Sequence, residues 1–174
     1  MSESLIQLRA KGCVIGFTLI EILVVVMIIA IAAMVAVPMM SSAASFQVRA
    51  AANQIAADME YAKSMAISRQ QSYSVVFDKD AESYQIEEPN GAVISHPVKK
   101  GFSYIVNFAN DGRTEGVDIY EVDFDTTSTI KFDFLGSPCN GSNNPLNNGV
   151  ITLKAGEQTM TINVSPVTGY ISIQ

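Results

Sequence analysis

The sequence has few of the residues on which most enzyme and metal sites depend. Its 174 residues include one histidine, two cysteines and no tryptophan. It has no Gly-x-Ser-x-Gly, His-Glu-x-x-His or phosphate-binding glycine loop, and no set of cysteines and histidines at the spacing of metal ligands. We therefore expect a protein that is not an enzyme and that binds no cofactor and no metal.

The two cysteines, Cys13 and Cys139, lie far apart in the chain. If the segment that contains Cys13 is removed, Cys139 has no partner for an intrachain disulfide. The cysteine count therefore permits an oxidising compartment without demonstrating one.

Basic residues are also scarce, with 11 lysines and arginines against 17 acidic residues and a net charge of −6. Nucleic-acid binding needs a basic footprint, which this balance does not supply. Lys99 and Lys100 lie near Phe102 and Tyr104, in the one place where basic and aromatic residues come together. Because these aromatics alternate as the core residues of a strand do, we expect no nucleic-acid partner.

Charge is missing between Glu21 and Arg49, and residues 22–37 are apolar without a break. A helix of about 20 apolar residues spans the hydrocarbon core of a membrane. Residues 17–37 are therefore predicted to form a transmembrane helix. The basic residues within 1–16 favour a cytoplasmic N terminus and export of the rest of the chain.

Three interpretations of this N-terminal region compete. A secretory signal would be cleaved near residues 41–45, and a signal anchor would not be cleaved. For the first, the apolar run is long, and Glu21 lies where secretory signals are purely apolar. The third interpretation is a short leader, residues 1–16, that is cut between Gly16 and Phe17.

Glu21 favours the third interpretation because a carboxylate at the start of a membrane-length helix is costly when it is unpaired. Cleavage after Gly16 would expose an amine on Phe17, which is mostly charged at neutral pH. On a helix, Glu21 lies within reach of that amine, and it could equally reach the amine of a neighbouring subunit. We therefore predict an assembly charge pair between Phe17 and Glu21.

The run Gly-Phe-Thr-Leu-Ile-Glu, residues 16–21, precedes an aliphatic stretch with Pro38 near its end. It resembles the class III signal of type IV pilins and type II secretion pseudopilins. The resemblance implies that a membrane prepilin peptidase cuts after Gly16 and methylates the Phe17 amine. It also implies a helical filament with the apolar helices at its centre. Pro38, which lacks an amide donor, is predicted to kink the helix.

Beyond Pro38 the sequence becomes amphipathic, and residues 38–69 are predicted to continue the same helix and to cover a globular head. Its apolar stripe has spacings of three and four residues, whereas Asp58 and other polar residues are placed off the stripe. The stripe comprises Val48, Ala52, Ile55, Met59, Ala62 and Ala66.

From about residue 70 the apolar period changes to two, which predicts a series of short strands. Turn signals such as Asn90-Gly91 separate these runs, and no helical pattern lies between them. The predicted fold class is therefore α+β, with the long helix on an antiparallel β-sandwich head of residues 70–174. Residues 136–149 lack periodicity and are predicted to form an exposed loop, which is either a candidate contact surface or a plain mobile connector. The predicted inward residues include Phe102, Tyr104, Val106, Phe108, Tyr120, Val122, Phe124, Ile130, Phe132 and Phe134.

The remaining titratable groups have ordinary interpretations. His96, followed by Pro97, is expected to be structural or solvated, and Glu87 and Glu88 to flank a hairpin turn. One acidic strand, with Asp118, Glu121, Asp123 and Asp125, is expected to be a solvated face, although carboxylates on one face could also bind Ca²⁺.

The head resembles the minor pilins of the GspH/FimT type in the helical residues 50–55 and 61–67 and in the segments 132–138, 149–153, 162–164 and 168–171. The resemblance implies a minor subunit near the tip of a filament. The paired C-terminal cysteines of many major type IVa pilins are missing.

We therefore predict a structural minor pseudopilin that helps to initiate or cap the short periplasmic filament of a type II secretion system. Its expected partners are other minor and major pseudopilins, the prepilin peptidase and, before assembly, inner-membrane lipid. The alternative is a type IV minor pilin that acts at the pilus tip in assembly, adhesion or DNA uptake. Two alternatives come from other classes of function. One is a membrane-anchored periplasmic enzyme, for which the sequence has no visible set of catalytic residues, and the other is a ligand-binding periplasmic domain on a signal anchor.

Overall fold

The structure is a computed structural model that describes the backbone of residues 17–174 and the side chains of residues 17–34 and 43–174. The predicted leader, with the cleavage residue Gly16, lies outside the described residues, and so does the side chain of Pro38. Contacts within the chain divide it into two compact units, Met1–Pro38 and Met39–Gln174.

One helix, α1 (Leu19–Arg69), contains both the apolar run and the amphipathic stripe. It ends at the predicted residue, and the helical assignment continues through Pro38, where the kink stays a prediction. All six residues of the predicted stripe are buried, as is Ala51. The amphipathic interpretation of this half of the helix is therefore confirmed.

The second unit is an antiparallel β-sandwich, as predicted. A five-stranded sheet has the order β3-β2-β1-β5-β6, and a four-stranded sheet has the order β4-β7-β8-β9. A short 3₁₀ helix, Phe108–Asn110, follows β3. Within residues 70–174 the strands are β1 (Tyr73–Asp78), β2 (Ser83–Glu87), β3 (Ile105–Asn107), β4 (Asp118–Phe124), β5 (Thr129–Phe132), β6 (Pro138–Asn140), β7 (Gly149–Ala155), β8 (Gln158–Val164) and β9 (Ile171–Ile173).

A single core joins the inner faces of both sheets to the buried stripe of α1. The largest buried aromatic side chains come from β1, β2, β4, β5 and the 3₁₀ helix. Burying each such side chain contributes about 1.5–3 kcal/mol. The conformational entropy lost on ordering short strands exceeds this gain unless many such side chains are buried together. The rings of Phe77 and Phe124, one from each sheet, meet at 5.9 Å between centroids.

The C-terminal end of α1 is held to the head through a backbone contact. Lys63 Nζ donates a hydrogen bond of 3.0 Å to the carbonyl oxygen of Gly169. Gly169 has a φ of +59°, and a Cβ at this position would lie 3.2 Å from the Gly136 carbonyl oxygen. Glycine is therefore required here both by the left-handed backbone and by the close approach of two turns.

Strand β4 departs from the predicted alternation. Ile119 is buried, whereas Tyr120, predicted to face inward, is 53% exposed. The pairing of β4 with β7 shifts register between Ile119 and Glu121, which is the mark of a β-bulge. The extra residue changes the face of everything before it, and so the prediction for Tyr120 is wrong. Its ring instead carries Lys154 Nζ at 3.1 Å from the centroid.

Two further aromatics predicted to be inward are exposed, namely Phe102 and Phe134. Phe102 precedes the start of β3 at Ile105, and Phe134 follows the end of β5 at Phe132. Outside a strand, alternation no longer determines the side on which a residue lies.

The predicted loop of residues 136–149 is wrong in part, because it contains strand β6 and a core residue. Pro138–Asn140 pairs with β5 at the edge of the five-stranded sheet, and Leu146 is buried. The buried Asn140 Oδ1 accepts hydrogen bonds of 3.0 Å from the backbone amides of Ser142 and Asn144. The strand was missed because it has only three residues, which is too short to show an alternating pattern. The turn that follows is held by the Asn140 side chain, so the sequence of this stretch predicts a loop.

Candidate functional site

The start of α1 places Glu21 beside the position where the predicted cleavage would create a new N terminus. The amide of Glu21 donates to Thr18 Oγ1 at 3.2 Å, and the amide of Thr18 faces Glu21 Oε2 at 3.5 Å. This reciprocal arrangement is a capping box, which satisfies amides that a helix leaves unpaired in its first turn. The carboxylate of Glu21 is thereby held against the backbone next to Phe17.

The cap was missed by the sequence reasoning, although the Thr-x-x-Glu spacing of residues 18–21 is its usual signal. The capping role and the predicted charge pair use the same carboxylate. A carboxylate near a helix N terminus is also favoured by the helix dipole. The cap therefore orients the Glu21 carboxylate toward the start of α1.

The first half of α1, up to Pro38, exposes large apolar side chains that a protein would ordinarily bury. Over residues 17–34, whose side chains the structure describes, the large apolar side chains are accessible in the isolated chain. Exposed apolar area of this extent marks a surface for another protein or a membrane. Searched over the described residues, no helix combines the length and the apolar composition of a membrane span. The exposed residues are Phe17, Leu19, Ile20, Ile22, Leu23, Val24, Val25, Val26, Met27, Ile28, Ile29, Ile31 and Met34.

The second half of α1 carries a buried carboxylate that the sequence reasoning placed off the apolar stripe. Asp58 is buried and accepts hydrogen bonds from the hydroxyls of Tyr84 and Tyr104, the latter at 2.7 Å. Its position three residues after Ile55 and one before Met59 was the available signal, because both neighbours belong to the stripe. The placement of Asp58 was therefore wrong.

Burial dominates the electrostatics of this cluster. Desolvation raises the pKa of Asp58, although the two tyrosine hydroxyls and the nearby His96 oppose that rise. Burial together with the carboxylate also raises the pKa of the Tyr84 hydroxyl, which therefore keeps its proton and donates it to Asp58. The cluster therefore joins α1 to β2 and to the residue that precedes β3 through two side-chain hydrogen bonds.

His96 has the structural role that was expected. Its Nδ1 accepts hydrogen bonds of 3.1 Å from the amides of Val98 and Lys99, which fixes the turn after Pro97. Its ring stacks on Tyr104 with 4.6 Å between centroids.

The acidic strand is not a row of parallel carboxylates. Asp125 lies beyond the end of β4 with a φ of +51°, so its predicted place on the strand face is wrong. Its carboxylate accepts from the amides of Asn147 and Asn148 at 2.9 and 3.0 Å, and Asp123 accepts from the Asn148 side chain. Within the described residues no group of three or more potential ligands could hold a metal ion.

The remaining predicted candidates are separate from one another. Glu87 ends β2 and accepts a hydrogen bond from Gln85, near the Asn90-Gly91 turn, where Gly91 has a φ of +82°. Cys139 is half-buried, and burial raises the pKa of its thiol, which disfavours the reactive thiolate.

A groove of 330 Å³ lies beside the edge strand β3, and Lys99, Phe102, Ile105 and Asn107 are among its lining residues. We call it the β3 groove. Asp111, also in the lining, pairs with Arg113 at 2.9 Å, and that hydrogen bond lowers the pKa of its carboxyl. The alternation of aromatics correctly places Tyr104 in the core but hides the exposure of Phe102.

Similarity to known proteins is found mainly in the head. A family model described as type II transport protein GspH matches residues 51–169, which begin within α1 and end just before β9. The match therefore does not depend on the leader motif. A search of curated proteins finds no match.

Two solved structures align with this chain, and the first of them shares its fold. The minor pseudopilin EpsH from the type 2 secretion system of Vibrio cholerae aligns with a TM-score of 0.52 at 10% identity, over 74% of this chain and 96% of EpsH. The type IV minor pilin FimU of Pseudomonas aeruginosa aligns with a TM-score of 0.47 at 15% identity, over 72% of this chain and 91% of FimU.

Proposed function

Because the chain belongs to the type II transport protein GspH family, we propose that it is a minor pseudopilin of a type II secretion system. The family is a transport-protein family rather than a known enzyme family. In this proposal the protein helps to initiate or cap a short periplasmic filament that it builds with other minor and major pseudopilins. The observation that carries the proposal is the family match over the head, combined with an exposed apolar helix that starts at Leu19 and has Glu21 in its first turn.

The proposal gives the two halves of α1 different tasks. The buried stripe fixes the head on the helix, and the exposed apolar segment is covered by neighbouring apolar helices after assembly. Before assembly, residues 17–37 lie in the inner membrane as a single span with the leader in the cytoplasm and the head in the periplasm. Support for the span comes from the unbroken apolar run and the basic leader.

Maturation supplies the positive partner for the Glu21 carboxylate. A prepilin peptidase cuts after Gly16 and methylates the new amine of Phe17. The amine, charged at neutral pH, then pairs with Glu21 of its own chain or of a neighbour. Pairing with a neighbour would set the stagger between subunits, because removing one member of a buried ion pair costs about 3–5 kcal/mol.

N-terminal sequencing and intact-mass measurement of the protein purified from its own cells test the proposal. The expected mature chain begins at N-methylated Phe17. Gly16→Ala should block the cleavage, whereas Gly12→Ala, a glycine change in the same leader, should leave it unchanged. A mature chain that keeps residues 1–16, or that begins beyond residue 41, would overturn the proposal.

Membrane insertion has a separate test. Carbonate extraction should leave the uncut precursor with the membrane, and protease added to spheroplasts should digest the head. A precursor released by carbonate would contradict the membrane part of the proposal alone.

The second candidate function is a minor pilin at the tip of a type IV pilus. It shares the leader motif and the apolar helix, and the family match favours the secretion system over it. Neighbouring genes separate the two: a secretin, a secretion ATPase and further pseudopilins on one side, pilus retraction and adhesion genes on the other.

A further inference from the structure

The edge of the five-stranded sheet is open on the side of the β3 groove. The carbonyl of Tyr104 accepts a hydrogen bond from the amide of Ile86 in β2, and the amide of Phe108 donates to the carbonyl of Glu82, just before β2. Successive residues of an antiparallel strand alternate between the two sides. The backbone amide of Asn107 and the carbonyl of Ile105 therefore point away from β2. This donor and acceptor have the spacing that an added antiparallel strand would use.

The surface around this edge is apolar. Val98 is 82% exposed, Phe102 68% and Ile105 53%. Phe102 and Ile105 line the β3 groove together with Asn107, whose Oδ1 is shielded from solvent and has no hydrogen-bond donor among the described residues. The groove thus combines apolar contact area with an acceptor that none of the described residues satisfies.

The net charge around this edge is opposite to that of the rest of the head, because Lys99, Lys100 and Arg113 outnumber Asp111, which also lines the groove and pairs with Arg113. Residues 70–174 carry 13 acidic and 6 basic side chains, a balance of −7, and Lys99-Lys100 is the one pair of adjacent basic residues there. Both lysines are exposed, and Lys99 lines the groove. Complementary charge steers association and suppresses wrong partners, so the pair favours an acidic occupant.

We propose that the β3 groove binds an extended, carboxylate-bearing strand of a neighbouring pilin-like subunit. The added strand pairs with β3 through the Ile105 carbonyl and the Asn107 amide. Its apolar side chains contact Phe102 and Ile105, and its carboxylates face Lys99 and Lys100. This inference rests on the proposed function, because it names the surface by which the head meets its partner.

Photo-crosslinking of the full chain in its own cells tests this interface. Phe102 is replaced by p-benzoylphenylalanine, and Tyr170, an equally exposed aromatic after β8, is replaced in a matched control. The expected product joins position 102 to an acidic, extended segment of another protein that has a prepilin-type leader, identified by peptide mass spectrometry. Position 170 should not give that product.

Charge reversal provides the second arm. Lys99→Glu with Lys100→Glu should lower the crosslink yield at position 102 about tenfold, which corresponds to about 1.4 kcal/mol. Lys131→Glu, the same change on β5, should leave the yield unchanged. Equal thermal unfolding midpoints of the two variants show that the head remains folded.

The remaining outcomes decide against the proposal. A yield that is insensitive to the reversal, or a crosslink to lipid, to a second copy of this chain or to a protein without such a leader, would overturn it. If Phe17 is the mature N terminus but position 102 gives no crosslink, this inference alone fails. If Phe17 is not the mature N terminus, the proposed function fails first.

Discussion

Ile29 and Ile55 lie in the same helix, yet the first is 60% exposed and the second is completely buried. In the second half of α1 the sheets of the same chain cover the apolar side chains. In the first half the described chain offers no such cover, and the apolar side chains are exposed in the isolated chain. Under the proposed function, one half of the helix therefore serves folding and the other serves assembly, because burial depends on what lies opposite each half.

The largest expected effect concerns Glu21, where the exposed half depends on a single charge. Glu21→Gln keeps a side chain that can complete the capping box but removes the charge. Loss of one member of a buried pair costs about 3–5 kcal/mol, so incorporation into filaments should fall more than about 100-fold. Fractionation of sheared filaments and membranes measures this.

Glu60→Gln is the matched control, because Glu60 is an exposed glutamate on the same helix. It should assemble normally, and both variants should insert into the membrane. Normal incorporation of Glu21→Gln would refute the charge pair.

A pair of identical substitutions compares the two halves directly. Ile55→Ala leaves a cavity in the core and should lower the free energy of unfolding of the head by about 2–5 kcal/mol. Ile29→Ala should leave head unfolding unchanged, because Ile29 is exposed in the isolated chain. Thermal or denaturant unfolding of the full chain in detergent measures both, and equal effects would contradict the separation of roles.

The Asp58 cluster makes the attachment of the buried half depend on pH. Asp58→Ala leaves the Tyr84 and Tyr104 hydroxyls without their acceptor, at a cost of about 1–3 kcal/mol. Burial raises the pKa of Asp58 in the folded protein above its unfolded value. In the pH window between the unfolded and the folded pKa, the folded state holds a proton that the unfolded state has lost. The contribution of Asp58 to stability is therefore fully present below the unfolded pKa. It is lost as the pH rises through the folded pKa.

Unfolding of the wild type and of Asp58→Asn across that window measures this contribution. The stability of the wild type relative to Asp58→Asn should fall as the pH rises. Parallel curves for the wild type and Asp58→Asn would contradict the assignment.

The smallest expected effect lies at the helix start. Thr18→Ala removes the cap, which is worth about 1 kcal/mol. Amide exchange of Ile22, which bonds to the Thr18 carbonyl at 3.2 Å, should accelerate about fivefold, and Thr18→Ser should restore it. The unfolding midpoint of the head should not change, and a shifted midpoint would argue against independent halves.

Local periodicity was enough to predict the end of α1 at Arg69, its buried stripe and most of the strands. These features depend on near neighbours in the chain, since a helix repeats every 3.6 residues and a strand every two. The family likewise was recognisable from short segments, and the match over residues 51–169 confirms it.

The sequence by itself therefore determined most of the elements, the sandwich class of the head and the position of a lone acidic residue before a long apolar run. Only the tertiary structure decided that Asp58 is buried, because its partners Tyr84 and Tyr104 lie 26 and 46 residues away. It also decided that a bulge turns Tyr120 outward and that the β3 edge is open, since both depend on how strands pair across the sheets. Contacts between distant residues carry no local period, and only the folded chain shows them.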